Sequence, residues 1–560
     1  MSDPHSWNAW PDDRDWTPVQ RVRGLSTLMV GWQSVSGSAG EAEFAGRLRD
    51  LLGEIPYFRD NPGDLVLLES HGDPMTYNLV AIVRGSGSRA LAMAGHYDTA
   101  SLANYHDLVP LACDPDALHE ALLDDLAARP LSEQEAHALD DLRSGDFLPG
   151  RGLLDMKCGI AAGIAVLERF AATPDRQGNL ILFASPDEER ESRGMRALRE
   201  ALPALMQERG LTIEAAINLD ATSDQGDGAL GRAVYEGTIG KALPFAFVLG
   251  QSSHAAYPFE GISAQLIGAE ILRAIEGNAA LSDTGPGDVS PPPICLEARD
   301  LREGYEVTTP ERFWLSFNWL YHSGSAADRL DKFRAEVEAA LGRATERFGT
   351  QAAAFARASG ARPGAAMAAP RVMTLAELKA QALPGPEASA AFLTYQASLS
   401  AVDNPLVLSR LLTEWLAEAA HLTGPLVVIG FAGLNYPPSR IDPEDPRAAE
   451  LSAAIRAACA GMAPGEALCH RPHFQGISDM SFLGQPRQQG AEAVADNTPA
   501  ARLIDRPGPD ALSFPAVNIG PWGREFHQRL ERVHMPYAFG TLPGVLARVA
   551  GTFLRDAPER

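Results

Sequence analysis

Three features of the sequence predict an α/β fold: a central, mostly parallel sheet covered by helices, interrupted by an inserted α+β domain. Several runs are apolar throughout, as strands buried on both faces are. Stretches with apolar residues at helical spacing separate those runs. After about residue 236 the pattern changes, and an alternating strand is followed by a long amphipathic helix. The predicted organisation is a first domain in two parts, 1–235 and 425–560, around an inserted domain over 236–424. The first part carries an insertion over 101–150, and the inserted domain an extra segment over 351–424. At 560 residues the chain is too long for one core.

In chain order, residues 23–56 read as an amphipathic helix with its flanks. YNLVAIVRG (77–85) and RALAMAGHY (89–97) read as buried strands joined by a Gly/Ser turn. The polar stretch from Ser101 to about Gly150 contains DALHEALLDDLA and SEQEAHALDDLRSG, both with helical spacing, so it is an ordered insertion. Ile160, Ile164, Leu167 and Phe170 start a helix soon after Asp155. NLILFASPDEE (179–189) and IEAAINLDATSD (213–224) are strands that end in acids. Beyond 236, LPFAFVLG leads through SSHAAYPFEG to a helix near 262–277. FWLSFNWLY puts Phe313, Leu315, Phe317, Trp319 and Tyr321 on one face, the pattern of a half-exposed strand. DRLDKFRAEVEAALGRATERF is an amphipathic helix, and the Ala/Gly/Pro-rich 351–371 reads as a flexible excursion. PLVVIGFAG (425–433), a helix at about 446–460 and FPAVNIGPWG (514–523) return to buried-strand and helix composition.

Composition narrows the function. Acids outnumber Lys and Arg by 72 to 48, a formal charge of −24, which repels nucleic acid. No apolar run is long enough for a membrane helix, and the N-terminus has no signal-peptide pattern, so a cytoplasmic protein is expected. Five scattered cysteines without a CxxC pair argue against a disulfide framework or a cysteine zinc site.

The chemistry lies where the apolar runs end. His96 closes one run, Glu188 and Glu189 follow a second, and Asp220 ends a third. Asp155 precedes a helix, and His527 follows the last strand. In an open α/β sheet the carboxyl ends of parallel strands face one crevice. Imidazole and carboxylate suit zinc, and two ions need about five protein ligands when one carboxylate bridges them. Asp98, two residues after His96, can orient the imidazole through its other nitrogen. A further carboxylate must take a proton from the attacking water, and the Glu188–Glu189 pair can divide the ligand and base roles.

The order GHYDT, GRGLLDMKCG, SPDEE, a strand ending in Asp, and a late H…ER resembles the dinuclear zinc hydrolases of peptidase family M20. These include aminoacylase, acetylornithine deacetylase, succinyl-diaminopimelate desuccinylase and glutamate carboxypeptidase. The insertion after His96, HAAYPFEG, GISDMSFLG and FHQRLERV are most similar to the RocB-like arginine-utilisation branch. The resemblance implies a zinc-peptidase-like catalytic domain with an inserted lid domain. It implies two divalent metal ions, zinc first and cobalt or manganese as alternatives. His96 and Asp220 would hold one, Glu189 and His527 the other, and Asp155 would bridge them. Asp98 would orient His96, and Glu188 would be the general base for a metal-bridging hydroxide. His254, in the second domain, would polarise the scissile carbonyl, in relatives often from the partner subunit of a homodimer. A cis peptide bond would follow Asp155.

The implied reaction is cleavage of an amide bond in a small amino-acid-like substrate, such as an N-acyl amino acid or short peptide. The alternatives are a catalytically silent binding or regulatory member of the fold, and a peptide aminopeptidase. His534, and His470 with His473, compete with His527 as the last ligand; His470 and His473, with Arg471 and Asp479, would otherwise lie near the substrate. Cys158 reads as a packed thiol.

Overall fold

The computed structural model describes residues 17–285, 287–360, 368–463, 466–474, 476–485 and 490–555. They form two compact units. The first runs to Thr238 and resumes over Ser439–Pro486 and from Pro507; the second comprises Ile239–Pro438 and Arg487–Arg506.

The first unit is built on an eight-stranded sheet. Its order is Leu65–Glu69, Tyr77–Val83, Gln177–Ser185, Ser86–His96, Thr212–Asn218, Ala516–Asn518, Ala233–Tyr235 and Cys469–Arg471. The centre is parallel: Ser86–His96 pairs in parallel with both Gln177–Ser185 and Thr212–Asn218, and the latter with Ala516–Asn518. Ala90 to Ala94 and Leu180 to Ala184 are fully or almost fully buried, which is why these segments lack alternation. Helix Cys158–Ala172 is buried along nearly its whole length and returns the chain between parallel neighbours. Helix Arg193–Arg209 makes the next return, from Gln177–Ser185 to Thr212–Asn218 on the other side of Ser86–His96.

Because the three central strands run in parallel, their carboxyl ends lie on one rim. His96 is the last residue of its strand, Glu188 and Glu189 follow Ser185, and Asp220 follows Asn218. A second, four-stranded sheet, ordered Phe147–Pro149, Arg532–His534, Trp522–Arg524, Thr222–Ser223, carries His527 in the hairpin between its two middle strands. The insertion after His96 contains helices Pro115–Ala127 and Glu133–Ser144, packed around a small core of their own.

The second unit is a sheet of Gly240–Ala242, Arg312–Tyr321, Pro244–Leu249, Leu426–Phe431 and Arg371–Thr374, with Ile294–Asp300 beside Arg312–Tyr321. Four details differ from the sequence reading. Residues 425–438 belong to this unit, because Leu426–Phe431 pairs along its length with Pro244–Leu249; six buried apolar residues suit any central strand, so composition does not say which sheet they join. Arg312–Tyr321 is largely buried, not half-exposed: Phe317 and Trp319 face one core, while Trp314 faces another filled by Leu375, Leu412 and Leu416. Residues 351–359 continue helix Ala326–Ser359, as their alanine content favours, while 361–367 of the expected excursion lie outside the described residues. The stretch 23–56 contains most of two helices, Val19–Gly31 and Ala39–Gly53, and the second starts at Ser38, whose side chain accepts the Glu41 amide. Among the described residues no helix is long and apolar enough to cross a membrane.

Candidate metal centre

The rim of the first unit gathers seven of the eight expected site residues. His96 is buried, and its Nε2 lies 3.1 Å from Asp155 Oδ1, 3.6 Å from Asp220 Oδ1 and 3.8 Å from Glu188 Oε2. His527 Nε2 lies 3.1 Å from Asp155 Oδ2 and 2.9 Å from Glu189 Oε2. Two ligand groups result, His96–Asp155–Asp220 and Asp155–Glu189–His527, each with its donor atoms within 4.8 Å of one another. Asp155 belongs to both, one carboxylate oxygen facing each imidazole. It sits in a short turn before helix Cys158–Ala172, and the Asp155–Met156 peptide bond is cis.

Asp98 does more than orient one ring. His96 Nδ1 is 3.1 Å from the Asp98 main-chain oxygen and 3.5 Å from its Oδ1. The Asp98 carboxylate itself accepts the amides of Glu188 at 3.0 Å and Glu189 at 3.2 Å, and the Ser36 hydroxyl at 2.7 Å. One buried carboxylate therefore holds the acid-rich loop against the strand that ends in His96. Asn518 does the same for Asp220, accepting its amide at 3.0 Å and donating to its carbonyl at 2.9 Å. The Ala100 amide donates to Glu189 Oε1.

The electrostatics of this cluster favour a cation. Among the described residues, no Lys or Arg pairs with Asp155, Glu188, Glu189 or Asp220; the imidazoles are their only cationic partners. Burial opposes charge on His96, yet Asp155, Asp220, Asp98 and Glu188 together hold it well above the usual histidine range. Burial likewise opposes charge on His527, but Asp155 and Glu189 push it up to about 11. Burial, with Asp220, Asp479 and Glu189 as negative neighbours, keeps the Glu188 carboxyl well above its ordinary range against the pull of His96. A buried group of carboxylates this dense needs positive charge, and its oxygen and nitrogen donors are those divalent zinc accepts. The residues thus fit a pair of divalent ions.

The other sequence candidates separate cleanly. His534 packs against Phe147 and Trp522 and accepts from the Tyr537 amide, and burial lowers it to about 4; it is in neither ligand group. His470 pairs with Glu236, and neither it nor His473 joins the two groups. Asp479 is buried and accepts the Ser185 hydroxyl at 3.0 Å, and its charge acts on Glu188. Cys158 is a buried thiol whose burial pushes it well up, consistent with packing. His254 lies in the second unit; it is exposed and accepts the Ala256 amide at 3.1 Å. A further grouping in the first unit, Glu41–His71–Asp187, is closed by Arg193, which donates to both Asp187 oxygens at 2.7 and 2.6 Å. Sequence reasoning missed Asn104, Arg151 and Glu531. Arg151 and Glu531 form a fully buried ion pair, and Asn104 donates to the His527 carbonyl at 2.7 Å. Glu531 stood in the late H…ER element, and that was its one signal.

Residues 116–498, more than half of the chain, match the sequence pattern of Peptidase family M20/M25/M40. The chain belongs to this family. It is similar to the uncharacterized protein YqjN of Bacillus subtilis, 29% identical over 548 residues, covering 97% of this chain and 98% of that one. Protein RocB of the same organism is 27% identical over 543 residues, 94% of each chain. A tripeptidase from Staphylococcus aureus shares the fold, with a TM-score of 0.51 at 15% identity over 96% of this chain and 100% of its own. Membership makes this protein an M20 hydrolase, of the class that cleaves amide bonds in peptides or amino-acid derivatives.

Proposed function

We propose that this chain is a two-metal hydrolase that cleaves the amide bond of a small amino-acid-like substrate, an N-acyl amino acid or short peptide. The observation that carries this reading is the division of Asp155 between His96 and His527, each 3.1 Å from a different carboxylate oxygen. His96 and Asp220 would hold one ion, Glu189 and His527 the other, and Asp155 would serve both. Zinc is the first metal to test. When bound, such ions polarise the carbonyl and lower the pKa of water.

The chain's own groups supply the rest. Glu188 stands beside His96 but outside both ligand groups, so its carboxyl is free to move protons. It takes the proton of the attacking water and returns it to the leaving amine nitrogen. Asp98 keeps Glu188 and Glu189 on their separate tasks by holding both their amides. Carbonyl polarisation by His254 rests on the family resemblance alone, and a His254→Ala variant with intact metal content and reduced turnover would support it.

The test of the whole reading is metal analysis of the purified protein, followed by hydrolysis of a panel of N-acyl amino acids and dipeptides with and without chelator. Two equivalents and chelator-sensitive turnover are expected. Fewer than two equivalents refutes the metal assignment. Two equivalents with no turnover on any amide refutes the catalytic one in favour of a binding protein.

A further inference from the structure

His527 differs from the other members of the cluster in how it is held. Its side chain is 46% exposed, whereas that of His96 is 2% exposed. Packing therefore does little to fix its ring, which among the described aromatic residues meets Phe526 edge-on. Its backbone has φ of +63°, and Glu525 two residues earlier has φ of +59°. Non-glycine residues hold such values only when their surroundings impose them.

Those surroundings are the 101–150 insertion. Asn104 donates from Nδ2 to the His527 carbonyl at 2.7 Å, and its Oδ1 accepts from Arg151 Nη2 at 2.9 Å. Arg151 is itself locked by the buried Glu531, whose Oε1 accepts the Gly152 amide at 3.0 Å. Several residues on both sides of His527 have a partner in the insertion. Gln134 donates to Gln528 at 3.2 Å, and Arg529 pairs with Asp125 at 3.0 Å. Leu530 is buried in the insertion's core, and Asp141 accepts from both Arg524 and Arg532.

We infer that the 101–150 insertion is a clamp on the metal-ligand hairpin: Asn104, oriented by Arg151, is a positioning residue that fixes His527 beside Asp155 and Glu189 and so sets the affinity of one metal position. This rests on the two-metal reading above. The clamp explains why an insertion between the first ligand, His96, and the bridging Asp155 has an ordered core rather than a loose loop: its work is on a residue at the far end of the chain.

The discriminating variant is Asn104→Asp. It keeps the acceptor for Arg151 but turns the donor that faces the His527 carbonyl into an acceptor. Calorimetric titration of metal-free protein with zinc or cobalt is the readout. The wild type is expected to show two equivalents, and the variant to bind one of them about 10- to 100-fold more weakly while the other is unchanged, the scale of outer-sphere substitutions. If Asn104→Asp does not fold, the double variant Asp125→Ala/Gln134→Ala, at one half-buried and one exposed position, decides, with the same single equivalent weakened several-fold. Both equivalents bound as tightly as in the wild type, or both weakened alike, overturns the clamp. A wild type that binds fewer than two equivalents overturns the two-metal reading instead, and the clamp with it.

Discussion

Gly159→Ala sets two effects of known sign against each other. Gly159 is the second residue of helix Cys158–Ala172, and alanine in a helix is favoured over glycine by up to about 1 kcal/mol. A Cβ at Gly159, however, would stand 2.2 Å from the Leu219 carbonyl oxygen and 3.0 Å from Met156 Cε. The methionine end can swing away; the carbonyl cannot, because it belongs to the chain between the strand Thr212–Asn218 and Asp220. Restoring an ordinary contact requires the helix and that strand end to separate by roughly 1 Å, and overpacking of this kind costs about 1–3 kcal/mol. The clash outweighs the propensity, so a net loss of about 1–2 kcal/mol is expected in urea unfolding of metal-free protein. Because Asp220 is the next residue, the shift also reaches the cluster, and metal titration should show a weaker ion at the His96–Asp220 position. A variant stabilised by the full helix-propensity gain, with wild-type metal affinity, would refute the claim that this helix packs backbone to backbone against the rim.

Three other outcomes follow from the same geometry. Glu188→Gln should retain both metal equivalents yet lose about 10²–10⁴-fold in turnover, measured by steady-state hydrolysis beside metal analysis; loss of metal instead would exchange the roles of Glu188 and Glu189. Asp98→Ala removes the acceptor of both glutamate amides and of Ser36, and should weaken metal binding about 10- to 100-fold. His534→Phe should flatten the pH dependence of stability on the acid side. Burial holds His534 at about 4 in the folded chain against an ordinary 6.5, so the unfolded chain binds more protons between those values and stability falls as pH drops through that window. The phenylalanine variant, still packed on Phe147 and Trp522, should lose that part of the slope in unfolding curves taken from pH 7 to 4; an unchanged slope would show that His534 is not buried in its neutral form.

The central strands and the rim they build were legible because burial on both faces leaves an uninterrupted apolar run, and the first polar residue after it marks the edge. His96, Glu188, Glu189 and Asp220 were found in that way, each from local pattern alone. Asp155 and His527 were singled out only by position, before a helix and after the last strand, because a turn and a hairpin have no such periodicity, and the H…ER element then ranked His527 over His534. The clamp was illegible for a different reason. Asn104 and His527 are 423 positions apart, and Asp125, Gln134, Gln528 and Arg529 read as ordinary surface polarity until the chain is folded. Pairing over such separations leaves no local trace. The boundary at Pro438 was missed because Leu426–Phe431 would be equally at home in either sheet, and hydrogen-bond register, not hydrophobicity, chooses between them. The burial of Trp314 depended on helices such as Pro405–Ala419, which belong to a segment with no recognisable motif.

Anomalous diffraction from crystals of the zinc-loaded protein tests the metal assignment most directly. The account predicts two peaks, one contacting His96 and Asp220, the other Glu189 and His527, with Asp155 between them. A single peak, or a second ion bound away from Asp155, would contradict it.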